Sequence, residues 1–192
     1  MSICVSGGGS GADTMWAEQA LKHGCPVEII SYVDHDDCYV PIGATLHHVT
    51  TGKHASMLER TAIYMNRLPN LARCHPNTHK HLHRNMAIAA SNLDALYVVG
   101  FRCENGTPMG IDGRCGTSWT AHAVTCPVYM YDMRMRQWIS WSWCDGGKWH
   151  TVEDAPPRPT SFARWGAVGS RSMTADGMFE IVMCFVEPHT FV

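Results

Sequence analysis

Short apolar runs alternate along the chain with longer segments whose apolar residues recur every three or four positions. Residues 3–5 and 27–30 are two such runs, and residues 15–23 between them have helical spacing. A glycine-rich turn precedes this helix, and Asp13 or Thr14 is suitably placed to cap it. The order strand, glycine turn, helix, strand is typical of an α/β fold, whose crossover connections favour a parallel sheet.

The same periodicity predicts the remaining elements. Further helices are expected over 55–68, 78–92, 118–124 and 174–186, and further strands over 95–99, 127–131 and 162–168. The tryptophans between 138 and 149 punctuate a stretch that predicts an antiparallel ribbon or edge strand. An irregular surface loop is expected over 34–53 and a proline-bearing connector over 154–160. We therefore predict a single α/β domain, residues 1–192, with a mostly parallel sheet flanked by helices.

Composition narrows the classes of function. The 192 residues are 45% hydrophobic, and 15 Lys and Arg stand against 17 Asp and Glu. This balance offers no basic surface for nucleic acid, and no apolar run approaches the roughly 20 residues of a membrane helix. Met1 leads directly into a predicted strand, so no signal peptide is expected. The nine cysteines contain no CxxC pair, which disfavours a disulfide framework and suits a reducing cytoplasm.

Two glycine-rich loops are the main chemical signal, because each follows a predicted strand and opens a predicted helix. Glycines let the backbone approach a ligand closely, and the free amides of a helix N-terminus favour a phosphate. A plain tight turn remains the alternative for each loop. The predicted ligand-binding residues are Ser6, Gly7, Gly8, Gly9, Gly11 and Asp13 in the first loop and Gly113, Arg114, Gly116, Thr117 and Ser118 in the second.

Familiar catalytic and metal patterns are missing from the sequence. It has no GxxxxGK[ST] phosphate loop and no GxSxG elbow, and no acid ends the second predicted strand, since Glu28 lies inside it. Histidines crowd 75–83, where His79 and His83 have a spacing that can bind zinc. A solvated helix end is the preferred interpretation there, as it is for the stretch 34–37, so no metal and no cofactor are predicted.

Five segments resemble motifs of the SLOG superfamily. This Rossmann-like group includes the cytokinin-activating lonely-guy phosphoribohydrolases and the DNA-processing protein of bacterial transformation. The resemblance covers the chain except roughly residues 34–79. The segments are SGGGSGADTMWAEQAL at 6–21, LHRN at 82–85 with NLDALYVVG at 92–100, GIDGRCGTSWTAHA at 110–123, VYMYD at 128–132 with Trp138, and FARWGAVGSR at 162–171.

The resemblance implies a Rossmann-like fold and a site for a nucleotide or a nucleotide-derived signal, ADP-ribose-like or cyclic. Arg84 and Asn85 of its second segment join the predicted ligand contacts. The implied role is that of a sensor or a sequestering protein, the latter in the manner of a small phage protein acting against a host defence in the host cytoplasm. A homodimer or higher homo-oligomer is also implied. A hydrolase that cleaves a nucleotide N-glycosidic bond is the alternative.

Two departures from the family pattern shape these expectations. The phosphoribohydrolases carry a catalytic glutamate in the second glycine motif, where this chain has Thr120, which cannot act as a general acid or base at neutral pH. Binding is therefore favoured over cleavage. The Gly-Ser-Arg turn at 169–171 comes last, although many members have it first. A circular permutation would return 162–187 to the first strand and place Arg171 within reach of the loop 7–13.

Overall fold

The computed structural model describes residues 1–50, 52–65, 67–102, 108–109, 116–142, 144 and 148–186. Gly113, Arg114 and Trp143 lie outside this part of the chain. Its strands are β1 (Ile3–Ser6), β2 (Val27–Ser31), β3 (Thr45–His48), β4 (Ala95–Arg102), β5 (Pro108–Met109), β6 (Val128–Asp132), β7 (Gln137–Ser142), β8 (Lys148–Thr151) and β9 (Arg164–Gly169). Its helices are α1 (Ala12–Lys22), α2 (Ala55–Tyr64), α3 (Leu68–Arg73), α4 (Pro76–Ala89), α5 (Thr117–Ala123) and α6 (Ala175–Met183).

Eight of these strands follow one another across a single sheet in the order β3-β2-β1-β9-β4-β6-β7-β8, and β5 pairs with β4. Every pairing from β3 to β6 is parallel, whereas β6–β7 and β7–β8 are antiparallel. Helices connect the parallel strands β1 to β2 and β4 to β6. The fold is thus α/β and Rossmann-like, with a mostly parallel sheet flanked by helices, as predicted.

Apolar side chains leave the strands on alternate faces and build a core on each side of the sheet. Cys4 packs in the core that contains α1 and α6, whereas its neighbour Val5 packs in the core beneath α4 and α5. In the first core Trp16 is fully buried, and its ring lies 5.5 Å from Tyr97 and 5.8 Å from Trp165 between centroids. This tryptophan therefore joins α1 to the middle of the sheet.

The last strand lies in the middle of the sheet. β9 pairs in parallel with β1 on one side, where Cys4 faces Trp165, and with β4 on the other, where Tyr97 faces Ala167. The return of this segment to the first strand, expected from the permuted motif order, is therefore observed. As a result, the segments that follow β1, β9 and β4 leave the sheet side by side.

The remaining differences from the predicted elements have local causes. β3 forms inside the stretch expected to be irregular. The pattern did not predict it because it is an edge strand whose four residues are all exposed and lack an apolar alternation. A separate short helix, α3, begins where the helix expected over 55–68 was to end, and a 3₁₀ helix begins inside the connector expected over 154–160, at Pro159–Ser161. No helix in the described ranges is long and apolar enough to span a membrane.

Candidate functional site

The glycine loop after β1 is bound to the segment that follows β9. The Ala12 amide donates to Ser170 O at 3.1 Å, and the Ser170 amide donates in turn to Val99 O at 2.8 Å. Gly11 has a φ of +86°, and a Cβ there would lie 2.5 Å from the carbonyl oxygens of Ser170 and Arg171. Glycine is thus required at this position both by conformation and by the close approach of a neighbouring backbone.

Asp13 is an internal ion of this junction. Its side chain is buried, Oδ1 accepts the Gly169 amide at 3.0 Å, and Oδ2 accepts the Gly9 amide at 3.4 Å and Arg84 Nη1 at 3.3 Å. Burial raises the pKa of Asp13, against the lowering effects of Arg84 and of the two amides. Asp13 as a ligand contact stays a prediction, and in the structure its oxygens face the protein's own donors.

The prediction that the side chain of Asp13 or Thr14 caps α1 is wrong. The helix begins at Ala12 after Gly11 without a side-chain cap, so Asp13 falls inside the first turn, and Thr14 Oγ1 donates backwards to Gly9 O at 2.9 Å. A carboxylate in the first turn still interacts favourably with the positive end of the helix dipole.

Arg84 reaches the loop from α4 and fills its inner side. Its Nη1 also donates to Gly7 O at 2.6 Å, and a Cβ on Gly7 would overlap this guanidinium. Gly8 is buried under the next loop, where the Tyr39 amide donates to Gly8 O at 2.9 Å. Arg84 Nε is buried without a hydrogen-bond partner in the described ranges. The glycines therefore admit the protein's own side chains.

The residues predicted around the second loop also make structural contacts. Asn85 Nδ2 donates to Gly116 O at 2.9 Å, and Thr117 Oγ1 donates to Gly169 O at 3.0 Å. Ser118 is buried beside them, and in β1 the hydroxyl of Ser6 donates to Ala167 O at 3.0 Å. Gly169 thus donates its amide to Asp13 of the first loop and accepts the Thr117 hydroxyl of the second at its carbonyl. β9 therefore links the two loops that were predicted to form the binding site.

Arg171 lies beside the first loop, as the permuted order predicted. Its backbone packs against Gly11, while its guanidinium is more than half exposed and stands 3.6 Å from the carboxylate of Asp37. An ion pair between two exposed side chains contributes at most about 1 kcal/mol. This arginine therefore remains available to an anion arriving from solvent.

Three aromatic residues that were not among the predicted ligand contacts form a cluster beyond β2. Tyr32 and His35 follow β2 with their rings stacked at 4.6 Å, and His81 of α4 closes the group with its ring 5.0 Å from that of His35. Tyr32 OH and His81 Nε2 are hydrogen-bonded at 3.1 Å, and Ser31 Oγ and His35 Nδ1 at 2.7 Å. We call His35 and His81 the histidine pair.

A cleft of about 270 Å³ opens beside the cluster, at the carboxyl end of β2. Its lining includes Ser31, Tyr32, Asp34, His35, Cys38 and His48. The carboxyl ends of strands in open α/β sheets are where ligands bind. Asp34 lies only three positions beyond Ser31, so acidic groups do follow β2, although the sequence analysis found none at the end of this strand.

Burial lowers the pKa of both members of the histidine pair. For His81 the shift reaches a pKa of about 4, with further lowering by Arg84, His35 and Arg171 against the opposing charge of Asp37. For His35 the next causes are again Arg84 and Arg171, opposed by Asp37 and Asp36. Both imidazoles are therefore neutral at pH 7, and both are close enough to the two arginines for those charges to act on them.

The solvated helix end expected over 75–83 is wrong for two of its histidines. His83 is only 7% exposed, and His81 is partly buried against Tyr32. The signal that the sequence contained was the spacing of His81 and Arg84, three positions apart on one helix face. Within the described ranges, no three His, Cys, Asp or Glu side chains converge on a position that could hold a metal ion.

Comparison of the chain with protein-family models, with curated proteins and with solved structures found no match.

Proposed function

We propose that this protein binds a nucleotide or a nucleotide-derived signal, ADP-ribose-like or cyclic, and acts as a sensor or by sequestering that signal. The ligand's phosphates lie outside the glycine loop, against Arg84 and Arg171, and its remaining part extends toward the cleft beyond β2. The observation that carries the proposal is that Arg84 and Arg171 both border the glycine loop, at Gly7 and at Gly11, next to a strand with a cleft at its carboxyl end.

Two features of the arginines support a phosphate ligand. A guanidinium presents a planar set of donors that matches phosphate oxygens, and such charge-assisted hydrogen bonds are stronger than neutral ones. Arg84 keeps a buried Nε without a partner in the described ranges, and Arg171 is engaged by the exposed Asp37. A phosphate would supply the missing acceptor and would replace a weak surface ion pair.

Binding without cleavage is favoured by Thr120. The residue at the position of the family's catalytic glutamate is fully buried in α5 and carries a hydroxyl. It offers neither the carboxylate nor the access that hydrolysis of an N-glycosidic bond needs. The homo-oligomer and the cytoplasmic location stay predictions.

The test is a ligand panel with matched variants. ADP-ribose, AMP and cyclic dinucleotides are added to the protein, thermal shift and calorimetry measure binding, and chromatography measures release of free base. Arg171→Ala is expected to weaken binding about tenfold or more, the loss of at least one charge-assisted contact. Arg136→Ala is the control, because Arg136 forms a similarly exposed pair with Asp176 at the far hairpin.

The outcomes separate the alternatives. Stabilisation by an intact ligand, lost in Arg171→Ala and kept in Arg136→Ala, supports the proposal. Release of base would establish the hydrolase instead. Absence of any shift or heat across the panel, or an equal loss of affinity in both variants, would overturn the assignment of the site.

A further inference from the structure

The histidine pair is held in a fixed geometry by contacts that occupy one ring nitrogen of each member. His35 Nδ1 is bonded to Ser31 Oγ, and His81 Nε2 to Tyr32 OH. Stacking of His35 on Tyr32 and the edge contact with His81 fix the ring planes. The Nε2 atom of His35 is left buried without a hydrogen-bond partner in the described ranges.

An unpaired nitrogen of this kind has a second example close by, the Nε of Arg84. The two atoms belong to different elements, the loop after β2 and helix α4, which meet where the His35 ring lies 5.0 Å from that of His81, three positions before Arg84. Leaving a buried polar atom unpaired costs about 1–3 kcal/mol, so two such atoms in one neighbourhood indicate an absent shared partner. That partner must offer acceptor oxygens, because an arginine can only donate.

The glycine loop itself leaves no room for this partner on its inner side. Asp13 already accepts the Gly9 amide there, and Arg84 Nη1 already binds Gly7 O. An anion therefore has to approach Arg84 from outside the loop. His81 precedes Arg84 by about one turn of α4, and Arg171 pairs at 3.6 Å with Asp37, two positions after His35.

We propose that His35 and His81 form a phosphate subsite with Arg84 and Arg171, and that the subsite takes up a proton when a phosphate-bearing ligand with two negative charges binds. The inference rests on the proposed function, because it assigns the position and the pH dependence of the same ligand's phosphates. It adds two residues that neither the motifs nor the glycine loops indicate.

The charges around the pair explain the proton uptake. Arg84 faces it from α4 and Arg171 from the segment after β9, while Asp36 and Asp37 face it from the loop of His35. Tyr32 lies between the loop and α4, with Lys80 Nζ 5.6 Å above its ring. The arginines disfavour an additional positive charge on either imidazole. Two negative charges placed among them reverse this effect and raise the pKa of the pair.

Linkage then fixes the sign of the pH dependence. If the complex holds a proton that the free protein lacks, the affinity must increase as the pH falls, by up to about tenfold per pH unit for one proton. The increase continues until the free protein also becomes protonated, near a pH of about 4 for His81.

Calorimetry with ADP-ribose tests the inference, because the two negative charges on the diphosphate of this probe do not titrate between pH 5 and 8. Titrations at pH 6 and pH 7.5, each in buffers of different ionisation enthalpy, report the protons taken up on binding. We expect net uptake and tighter binding at pH 6. His35→Asn keeps an amide near Ser31 and removes Nε2. His81→Gln keeps an amide near the Tyr32 hydroxyl and removes the titratable imidazole. Both are expected to abolish the uptake.

His79→Gln is the matched control, since His79 lies on the same helix but its Nε2 is bonded to Leu71 O. If either test variant fails to fold, NMR titration of the wild-type imidazoles with and without ADP-ribose replaces it, and an upward shift of their pKa values is expected. Binding without proton uptake, or uptake that persists in both folded variants, overturns the inference alone. No binding of ADP-ribose or of cyclic dinucleotides at either pH overturns the proposed function as well.

Discussion

The segments that follow β1 and β2 leave the sheet side by side and have opposite characters. After β1, three buried glycines admit Arg84 and the carboxylate of Asp13, and Arg84 Nη1 and both Asp13 oxygens bond to groups of the protein itself. After β2, a cleft remains, and beside it His35 keeps a buried nitrogen without a partner in the described ranges. The first segment holds the fold together, and the second offers unused binding capacity.

This difference shows that a glycine-rich turn at the start of an α/β helix has two physical uses. The absent side chains can make room for a ligand's phosphate, or they can make room for another part of the same chain. Here Gly11 faces the backbone of Ser170, and Gly7 faces a guanidinium. Both serve internal packing, and the anion site that we propose lies outside the loop.

The largest expected effect tests whether Asp13 belongs to the framework. Asp13→Ala leaves Arg84 buried beside empty space, and breaking a buried ion pair on one side costs about 3–5 kcal/mol of the free energy of unfolding. Urea denaturation measures the loss. Asp37→Ala is the control in the second segment, because its pair with Arg171 is exposed, and we expect a change within about 0.5 kcal/mol. Equal losses in the two variants would remove the distinction between the segments.

The next effect separates backbone strain from steric collision in the glycine loop. Gly11 and Gly24 both have positive φ, +86° and +74°, but a Cβ on Gly24 would have no non-adjacent atom of the described residues within 4 Å. Alanine at either position incurs a conformational cost of about 1–2 kcal/mol. Gly11→Ala adds the displacement of the Ser170 and Arg171 carbonyls, about 1–3 kcal/mol more. Thermal denaturation of the two variants measures the difference. Equal destabilisation would mean that the Ser170 and Arg171 carbonyls move aside without a measurable energetic cost.

The smallest effect is on the pH dependence of the free energy of unfolding, which tests whether the histidine pair is buried in its neutral form. His81 is protonated near pH 6.5 in the unfolded chain but only near pH 4 in the folded protein. The unfolded state therefore binds more protons in this window, and the contribution of His81 to the free energy of unfolding decreases as the pH falls. Asp13, with its raised pKa, acts in the opposite direction. Comparison of wild type with His81→Gln isolates the histidine, and parallel pH curves would contradict its burial as a neutral ring.

The arrangement of strands and helices was largely predictable because apolar periodicity reports which residues face a core. Val5 and Val98 lie in apolar runs that form strands and are fully buried, and Trp16, which is also fully buried, lies in the segment whose spacing predicted a helix. β3 escaped prediction because an exposed edge strand has no apolar face. The pairing of β9 with β1 was expected from the permuted order of the resembling motifs, whereas nothing in the sequence specified β4 as its other neighbour, since no local pattern specifies which strands pair.

The candidate site was predictable only in part. The glycines and Asp13 stand out as a motif, but the motif does not say whether the loop receives a ligand or a guanidinium from α4. His35 and His81 are separated by 46 positions, and they meet because the first half of α4 packs beside the carboxyl end of β2, where His81 contacts Tyr32. Their proximity depends on tertiary packing, which a pattern of nearby residues does not record.

The position of β9 determines how this protein has to fold. Ser6 of β1 donates to Ala167 of β9, 161 positions later in the chain. During synthesis β1 and β4 leave the ribosome well before the strand that must separate them. Until β9 arrives, each of the two keeps an unpaired edge that could pair with the other or with a different molecule. Such long-range pairing slows folding, so a nascent chain of this protein depends on shielding of its two central edges until the last strand enters between them.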